Sequence, residues 1–382
     1  MKVRYLFSSP GEDIPVGPDE LAMPFKITPS EDHPFLTIGD YFEAIETFVL
    51  KDNLLTFVSL IGESVNKPIG VGDIREVLIR AEKNGAFYHV ASVEVVSQYR
   101  RVRVSVSTAV SERGKSCLNH EFNMLVLLDK GLGLPFIPRP FFRGDVKGRG
   151  DLPEGPFSMF LTEWFQGFHE WHLSPDEGGS QRIRIWDMEN GHRFAAKPES
   201  REIIRQASRI LTLFYDTQTF EQVWPWHHAA GDFVVRVKDG ITDVRLTTAR
   251  RYEPVMSFLS EEEVNPVASL VYFFLNLTVK MRLDKLDGTG DVAWGGDFFV
   301  EEAVRGFFDA LRIMEAGGRY HLGKVGDLLG LFKAFSLEEL ERLFHSLSGL
   351  YEMGDAEDLT MIQASLKGHV QVLFRSLQAF SL

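Results

Sequence analysis

Two runs of alternating β-branched residues stand ahead of a long tract with helical spacing, and this contrast limits the fold most. "AFYHVASVEVV" (86–96) and "RRVRVSVSTAV" (100–110) place Val, Ser and Thr with period two, the pattern of half-buried strands. They read as antiparallel neighbours. From 259 to 382 the spacing is almost all helical. "VASLVYFFLNLTV" (267–279) is a buried helix, and "FSLEELERLFHSLSGLYE" (335–352) is amphipathic with Leu337, Leu340 and Phe344 on one face. Strands and helices segregated along a chain point to an α+β arrangement.

The remaining segments fit that division. Residues 1–35, rich in Pro, Gly, Asp and Glu, read as a loose leader. Residues 38–66 carry helical periodicity, with Tyr41, Ile45 and Phe48 near one face and Asp40 as N-cap. "DIREVLIRAEKNG" (73–85) reads as a second helix or strand–helix segment closed by Asn84-Gly85. A helix, a Gly-rich stop and a Pro-bounded extended piece follow over 111–142, the helix burying Phe122, Leu125, Val126 and Leu128. "PFSMFLTEWFQGF" (156–168) is a strand ending at Gly167, and "IRIWDMENG" a short strand and turn. Residues 200–219 repeat Ile203, Ala207, Ile210, Leu211 and Phe214 at helical spacing. Lys238-Asp239-Gly240-Ile241 is a hairpin turn.

Composition excludes several classes. The net charge of −13 disfavours a phosphate backbone as partner, and the basic stretches "QYRRVRV" (98–104) and "RGDVKGRGD" (143–151) read as a solvated strand face and a loop. A single cysteine, Cys117, excludes an intramolecular disulfide and any zinc site built on two thiolates. The N-terminus has no signal-peptide core, and the 267–279 run is too short to span a bilayer. The expectation is a cytoplasmic protein that binds neither nucleic acid nor membrane.

The stretch "PWHHAAGDFVVRV" (225–237) has the form of a catalytic loop: two histidines, small residues, an aspartate and a strand. With "HEFNMLVLLDKGLGLPFIPRPF", "FLTEWFQGFHEWHLS", the hairpin after Asp232 and "VEEAVRGFFDAL" (300–311), it stands in an order that resembles the protein-kinase-like superfamily, in its aminoglycoside and choline phosphotransferase branch, over roughly residues 86–350. The resemblance implies a two-lobed fold, with a β-rich N-terminal lobe at 86–168, a mainly helical C-terminal lobe at 169–382, and residues 1–85 as a helical extension. That extension either docks on the β-rich lobe or forms a dimer surface. The resemblance further implies a nucleotide or small molecule in the interlobe cleft, with ATP and Mg2+ as the cofactors if any bind. Glu121, Glu163 and Lys115 fall on the nucleotide side. His227, His228 and Asp232 are the catalytic candidates, and Asp232 and Asp243 those for the metal.

The departures from the family pattern are specific. With Asp232 on the family Asn, the catalytic Asp position falls on His227 and the family His on Pro225. The second metal Asp position falls on Leu246, and the nearest carboxylate is Asp243. The strand over 102–110 has no Lys, the closest being Lys115, and the turn at 96–100 has no Gly. Phosphoryl transfer needs cations held by carboxylates or amides, and a base for the acceptor hydroxyl. The leading expectation is therefore a degenerate, pseudokinase-like binder of a nucleotide or metabolite, or a scaffold. An active atypical phosphotransferase with His227 or His228 as base ranks second. A metal-dependent hydrolase built on His169, Glu170, His172, His227 and His228 ranks third, although "HEWH" lacks the four-residue histidine spacing of the zinc proteases. Asp187 reads as a turn residue and "DGTGD" (287–291) as a loop.

Overall fold

The computed structural model describes residues 1–28, 31–65, 69–85, 87–98, 101–146, 157–188, 190–255, 265–352 and 355–382. Parts of the two basic stretches (99–100 and 147–151) and the start of the helical tract (259–264) lie outside the described residues. The chain is α+β and divides into two compact units, residues 1–166 with 188–191, and residues 167–187 with 192–382. No described helix is long and apolar enough to cross a membrane.

The first unit is a sheet in the order β2-β1-β5-β6-β7-β9-β8. Its strands are β1 (Lys2–Phe7), β2 (Ile14–Pro15), β5 (Ile74–Asn84), β6 (His89–Ser97), β7 (Arg101–Ala109), β8 (Pro140–Val146) and β9 (Phe157–Glu163). A short helix α1 (Pro18–Leu21) and a hairpin of β3 (Pro24–Thr28) and β4 (Glu31–Thr37) lead to α2 (Ile38–Glu46), a π-helical turn (Thr47–Asp52) and α3 (Leu54–Val65). The expected antiparallel pair is β6–β7, with Val93 opposite Val104. Val77, Ile79, Val93, Val95, Val104, Val106, Met159 and Leu161 pack with Phe42, Ile45, Phe48, Phe57 and Ile61 in one core, so one sheet face is sealed by α2, the π-helical turn and α3.

Several expectations are corrected in this unit. The 73–85 segment is a strand from Ile74 to Asn84, after a 3-10 turn at Val71–Asp73. A bulge between Ile74 and Glu76 breaks its period-two phase, and pairing with β1 and β6 holds it extended. The leader also contributes a strand to this sheet: Lys2–Phe7 pairs in parallel with Glu76–Ala81. The cap of α2 is Thr37, with Asp40 returning a bond to the Thr37 N–H at 2.8 Å as its capping-box partner. Helix α4 (Glu112–Leu132) ends on Gly133 at φ +58°, a C-terminal cap that glycine takes without steric cost. It buries Phe122, Leu125 and Leu128, while Val126 stays half-buried.

The second unit opens with a sheet ordered β12-β11-β10-β14-β15. Its strands are β10 (His169–Pro175), β11 (Gln181–Ile185), β12 (Arg193–Phe194), β14 (Phe233–Lys238) and β15 (Ile241–Leu246). The β14–β15 hairpin turns at Asp239 and Gly240, both with positive φ, as the sequence predicts. Two small ribbons, β13 (Glu221–Val223) with β16 (Tyr252–Pro254) and β17 (Leu283–Lys285) with β18 (Val292–Trp294), punctuate the helices. These are α5 (Lys197–Leu213), α6 (Pro266–Lys280), α7 (Phe298–Ala316), α8 (Val325–Ala334), α9 (Leu337–Ser346), α10 (Ser348–Glu352) and α11 (Ala356–Ala379). Helices α5 and α7 cross at Gly306, where a Cβ would stand 2.1 Å from the Arg205 carbonyl. Only glycine permits that approach. Around the crossing, Phe274, Phe307, Phe308 and Phe332 form a fully buried aromatic cluster.

Candidate functional site

The loop from Trp224 to Asp232 joins β13 to β14 in the second unit. It begins with a cis peptide at Trp224-Pro225 and turns tightly, with the Ala230 and Gly231 N–H groups donating to the His227 and His228 carbonyls. Gly231 has φ +72°, and a Cβ there would meet the Glu170 carboxylate at 2.4 Å. The Thr247 N–H donates to the Asp232 carbonyl at 2.7 Å, which ties the loop to the strand leaving the hairpin.

Asp232 is the centre of the loop and is 1% exposed. Both of its oxygens are taken by Arg250, at 2.6 Å each, in a bidentate pair. A third bond comes from the His227 N–H at 2.8 Å. Such a fork neutralises a buried carboxylate and fills its best lone-pair directions. Arg250 lies 18 residues downstream, and no motif read from the sequence marked it.

The two histidines have different surroundings. His227 Nε2 lies 2.8 Å from Asp358 at the start of α11 and 3.1 Å from the Lys280 amine at the end of α6. Burial would raise the Asp358 carboxyl, but the His227 bond and the Lys280 charge hold it below the usual carboxylate range. Burial depresses the Lys280 amine against the opposing pull of Asp358. His228 is buried among Trp171, Trp226 and Phe233, with its Nε2 3.2 Å from the Met281 carbonyl. That burial pushes its pKa down to about 4 despite the attraction of Asp284. It is a neutral core histidine at physiological pH.

The remaining hydrolase candidates do not converge on an ion. His172 is buried on β10, with Nδ1 3.5 Å from Asp284 and Nε2 3.6 Å from Glu170. Burial alone would lower its pKa. Asp284 and Glu170 outweigh that and raise it to about 9, so the ring is a cation and has no lone pair for a metal. His169 Nε2 lies 3.6 Å from the Asp187 carboxylate. Among the described residues no group of three or more His, Cys, Asp or Glu is disposed to hold a metal ion.

The metal pairing implied by the resemblance is corrected by the hairpin register. Asp243 sits opposite Arg236, four positions beyond Asp232 along β14. At a rise of about 3.3 Å per residue this separates the two backbone positions by about 13 Å, whereas two ligands of one Mg2+ each lie about 2 Å from it. Asp243 is instead bound by Arg236 at 3.1 Å and by Arg245, and both guanidiniums lie over the Phe168 ring.

The other candidates belong to the first unit. Glu121 is buried on α4 and accepts a hydrogen bond from the Tyr88 hydroxyl. Lys115, in the first turn of α4, pairs with Glu112 at 3.1 Å. Glu163 ends β9, and its side chain accepts from the Arg139 N–H at 3.4 Å. Gly85 stands in the β5–β6 turn, one turn earlier than the glycine-free turn singled out in the sequence, and a Cβ on it would meet the Tyr88 carbonyl at 2.6 Å.

No family profile matches the chain, and no curated protein matches it. Among solved structures it is similar to the crystal structure of Cex1p, at 9% identity and a TM-score of 0.22. The match covers 79% of this chain and 50% of that one, so the chain spans about half the length of the structure it matches.

Proposed function

We propose that this chain is a protein with a kinase-like fold that does not transfer phosphoryl groups and works by binding a nucleotide or metabolite, or as a scaffold. The order of elements supports this reading: strands, a helix carrying a buried Glu, five further strands, the helix α5 and the short strand β13, then the loop, a hairpin and, after the remaining small strands, mostly helices. One observation carries it. The loop carboxylate that a phosphotransferase of this kind needs for its metal, Asp232, is clamped by Arg250 through both oxygens. A guanidinium supplies positive charge at that position but has no coordination sphere to hold a β- and γ-phosphate in line.

The test is a thermal unfolding series with ATP, with ATP and Mg2+, and with Mg2+ alone, beside an assay of ATP turnover. The expected result is no turnover, and a midpoint shift with ATP that Mg2+ does not enlarge. A Mg2+-dependent shift or turnover that disappears in Asp232→Asn would overturn the reading.

A further inference from the structure

On the side opposite the apolar core, the strands β5, β6 and β7 of the first unit carry a charged cluster, and it is closed by the chain's own N-terminal strap. Arg80 on β5 is 5% exposed and Glu94 on β6 is 4% exposed. Their side chains meet at 2.8 Å. Glu94 is also met by Arg103 at 3.0 Å and Arg101 at 3.3 Å, both from β7. Burial would raise the Glu94 carboxyl, but the Arg103 bond and the charges of Arg80, Arg103 and Arg101 hold it low. Three guanidiniums therefore meet one ionised carboxylate, a surplus of positive charge of which Arg80 and Arg103 are buried or nearly so, while the Arg101 side chain is 69% exposed. Uncompensated charge of this kind is costly away from water. Part of the surplus is met by Asp13, whose carboxylate accepts from Arg80 Nε at 2.5 Å.

Asp13 does not come from the sheet. It lies on the segment between β1 and β2, which is held by Ser8 N–H to the Ala81 carbonyl at 3.1 Å and by Gly11 N–H to the Met188 carbonyl at 2.8 Å. Its side chain is 32% exposed, whereas that of Arg80 is 6% exposed. A partly solvated carboxylate on a loop thus covers a buried guanidinium. Beside it Arg103 lies over the Trp164 ring, 5.5 Å from the centroid. Ser92, on the same face as Glu94, donates to Glu82 at 2.5 Å. An arginine pair beside an aromatic ring is the equipment of an anion site.

We propose that Arg80, Arg103 and Arg101 form a binding site for a phosphate or carboxylate group of a small anionic ligand, and that Asp13 occupies it as an internal competitor. The inference does not rest on the kinase-like reading, because it uses only strand register and charge. It gives the 98–104 basic stretch a role other than a solvated face. Removing Asp13 leaves the cation surplus for an external anion to fill. A ligand that binds only the native state then raises the unfolding midpoint in proportion to its occupancy.

The experiment uses the full chain and follows thermal unfolding with inorganic phosphate, citrate or pyrophosphate, each against sodium chloride at matched ionic strength. In the parent chain the anions should shift the midpoint little. In Asp13→Ala at least one should raise it clearly, and adding Arg80→Met should abolish the gain. Phosphate alone, citrate alone or pyrophosphate alone as the effective anion identifies the class of the charged group. Asp13→Asn keeps the strap's shape and gives the same readout if the alanine variant does not fold. The proposal is overturned if neither Asp13 variant gains a shift beyond the chloride control, or if the gain persists without Arg80.

Discussion

Breaking the clamp on Asp232 tests the reasoning about the loop most directly. In Arg250→Met two bonds of 2.6 Å are lost, and a carboxylate 1% exposed keeps only the His227 N–H at 2.8 Å. Removing one partner of a buried ion pair costs about 3–5 kcal/mol, because the other charge stays desolvated. Arg250 itself is 30% exposed, so the lower end of that range applies, about 3 kcal/mol. Urea unfolding followed by tryptophan fluorescence suits the measurement, since Trp171 and Trp226 are buried beside the loop. The midpoint should fall by about 1–2 M. Asp232→Asn in the Arg250→Met background removes the stranded charge and should recover about half of the loss. The comparison closes a double-mutant cycle with a large coupling term. If Arg250→Met costs less than about 1 kcal/mol, or the double variant is no more stable than the single one, Asp232 is not a buried ion whose charge depends on Arg250.

Three further outcomes follow from the same geometry. His172, raised to about 9 between Asp284 and Glu170, contributes stability that is fully present below its unfolded pKa of about 6.5 and is lost as pH rises through 9; His172→Gln should flatten urea stability over that window. His228, lowered to about 4 by burial, has the opposite sign: stability is present above about 6.5 and falls as the unfolded chain takes up the proton towards pH 4, so His228→Phe should soften acid unfolding followed by circular dichroism. Gly306→Ala should destabilise by about 2 kcal/mol or more, because its Cβ would stand 2.1 Å from a backbone carbonyl of α5; a melting midpoint equal to the parent's would refute that account of the α5–α7 crossing.

Much of the secondary structure was legible because its causes are local. β6, β7, the long helix closed by Gly133, the β14–β15 hairpin and α5 each carry their own period, cap or turn residues. The buried positions of α5 follow from spacing alone, with Ile203, Ala207, Ile210, Leu211 and Phe214 all inside. β5 was misread because register shifts towards both of its ends disturb its alternation, so its extended state comes from pairing on both sides. β1 was missed because six residues beside Pro- and Gly-rich sequence have no strong pattern until a parallel partner holds them.

The candidate site was legible only as a list of reactive residue types. Adjacent His227 and His228 look equivalent in sequence. Solvent access and neighbours separate them: one reaches Asp358 and Lys280, while the other packs against indole rings. Asp243 was grouped with Asp232 by its place after the hairpin, and strand register puts it opposite Arg236, four positions along the ribbon from Asp232. Arg250 and Asp13 carried no local signal. A carboxylate becomes an ion-pair partner, a metal ligand or an internal competitor according to which charge the fold brings within hydrogen-bond reach, and that distance is set by strand pairing and loop path. The neighbouring strands β6 and β7, the β14–β15 hairpin turn and the glycine cap of α4 followed from the sequence by itself, because each depends on residues a few positions apart. The state of Asp232, the charge of His172 and the strap across Arg80 were decided by tertiary structure, because burial and long-range pairing are properties of the folded chain.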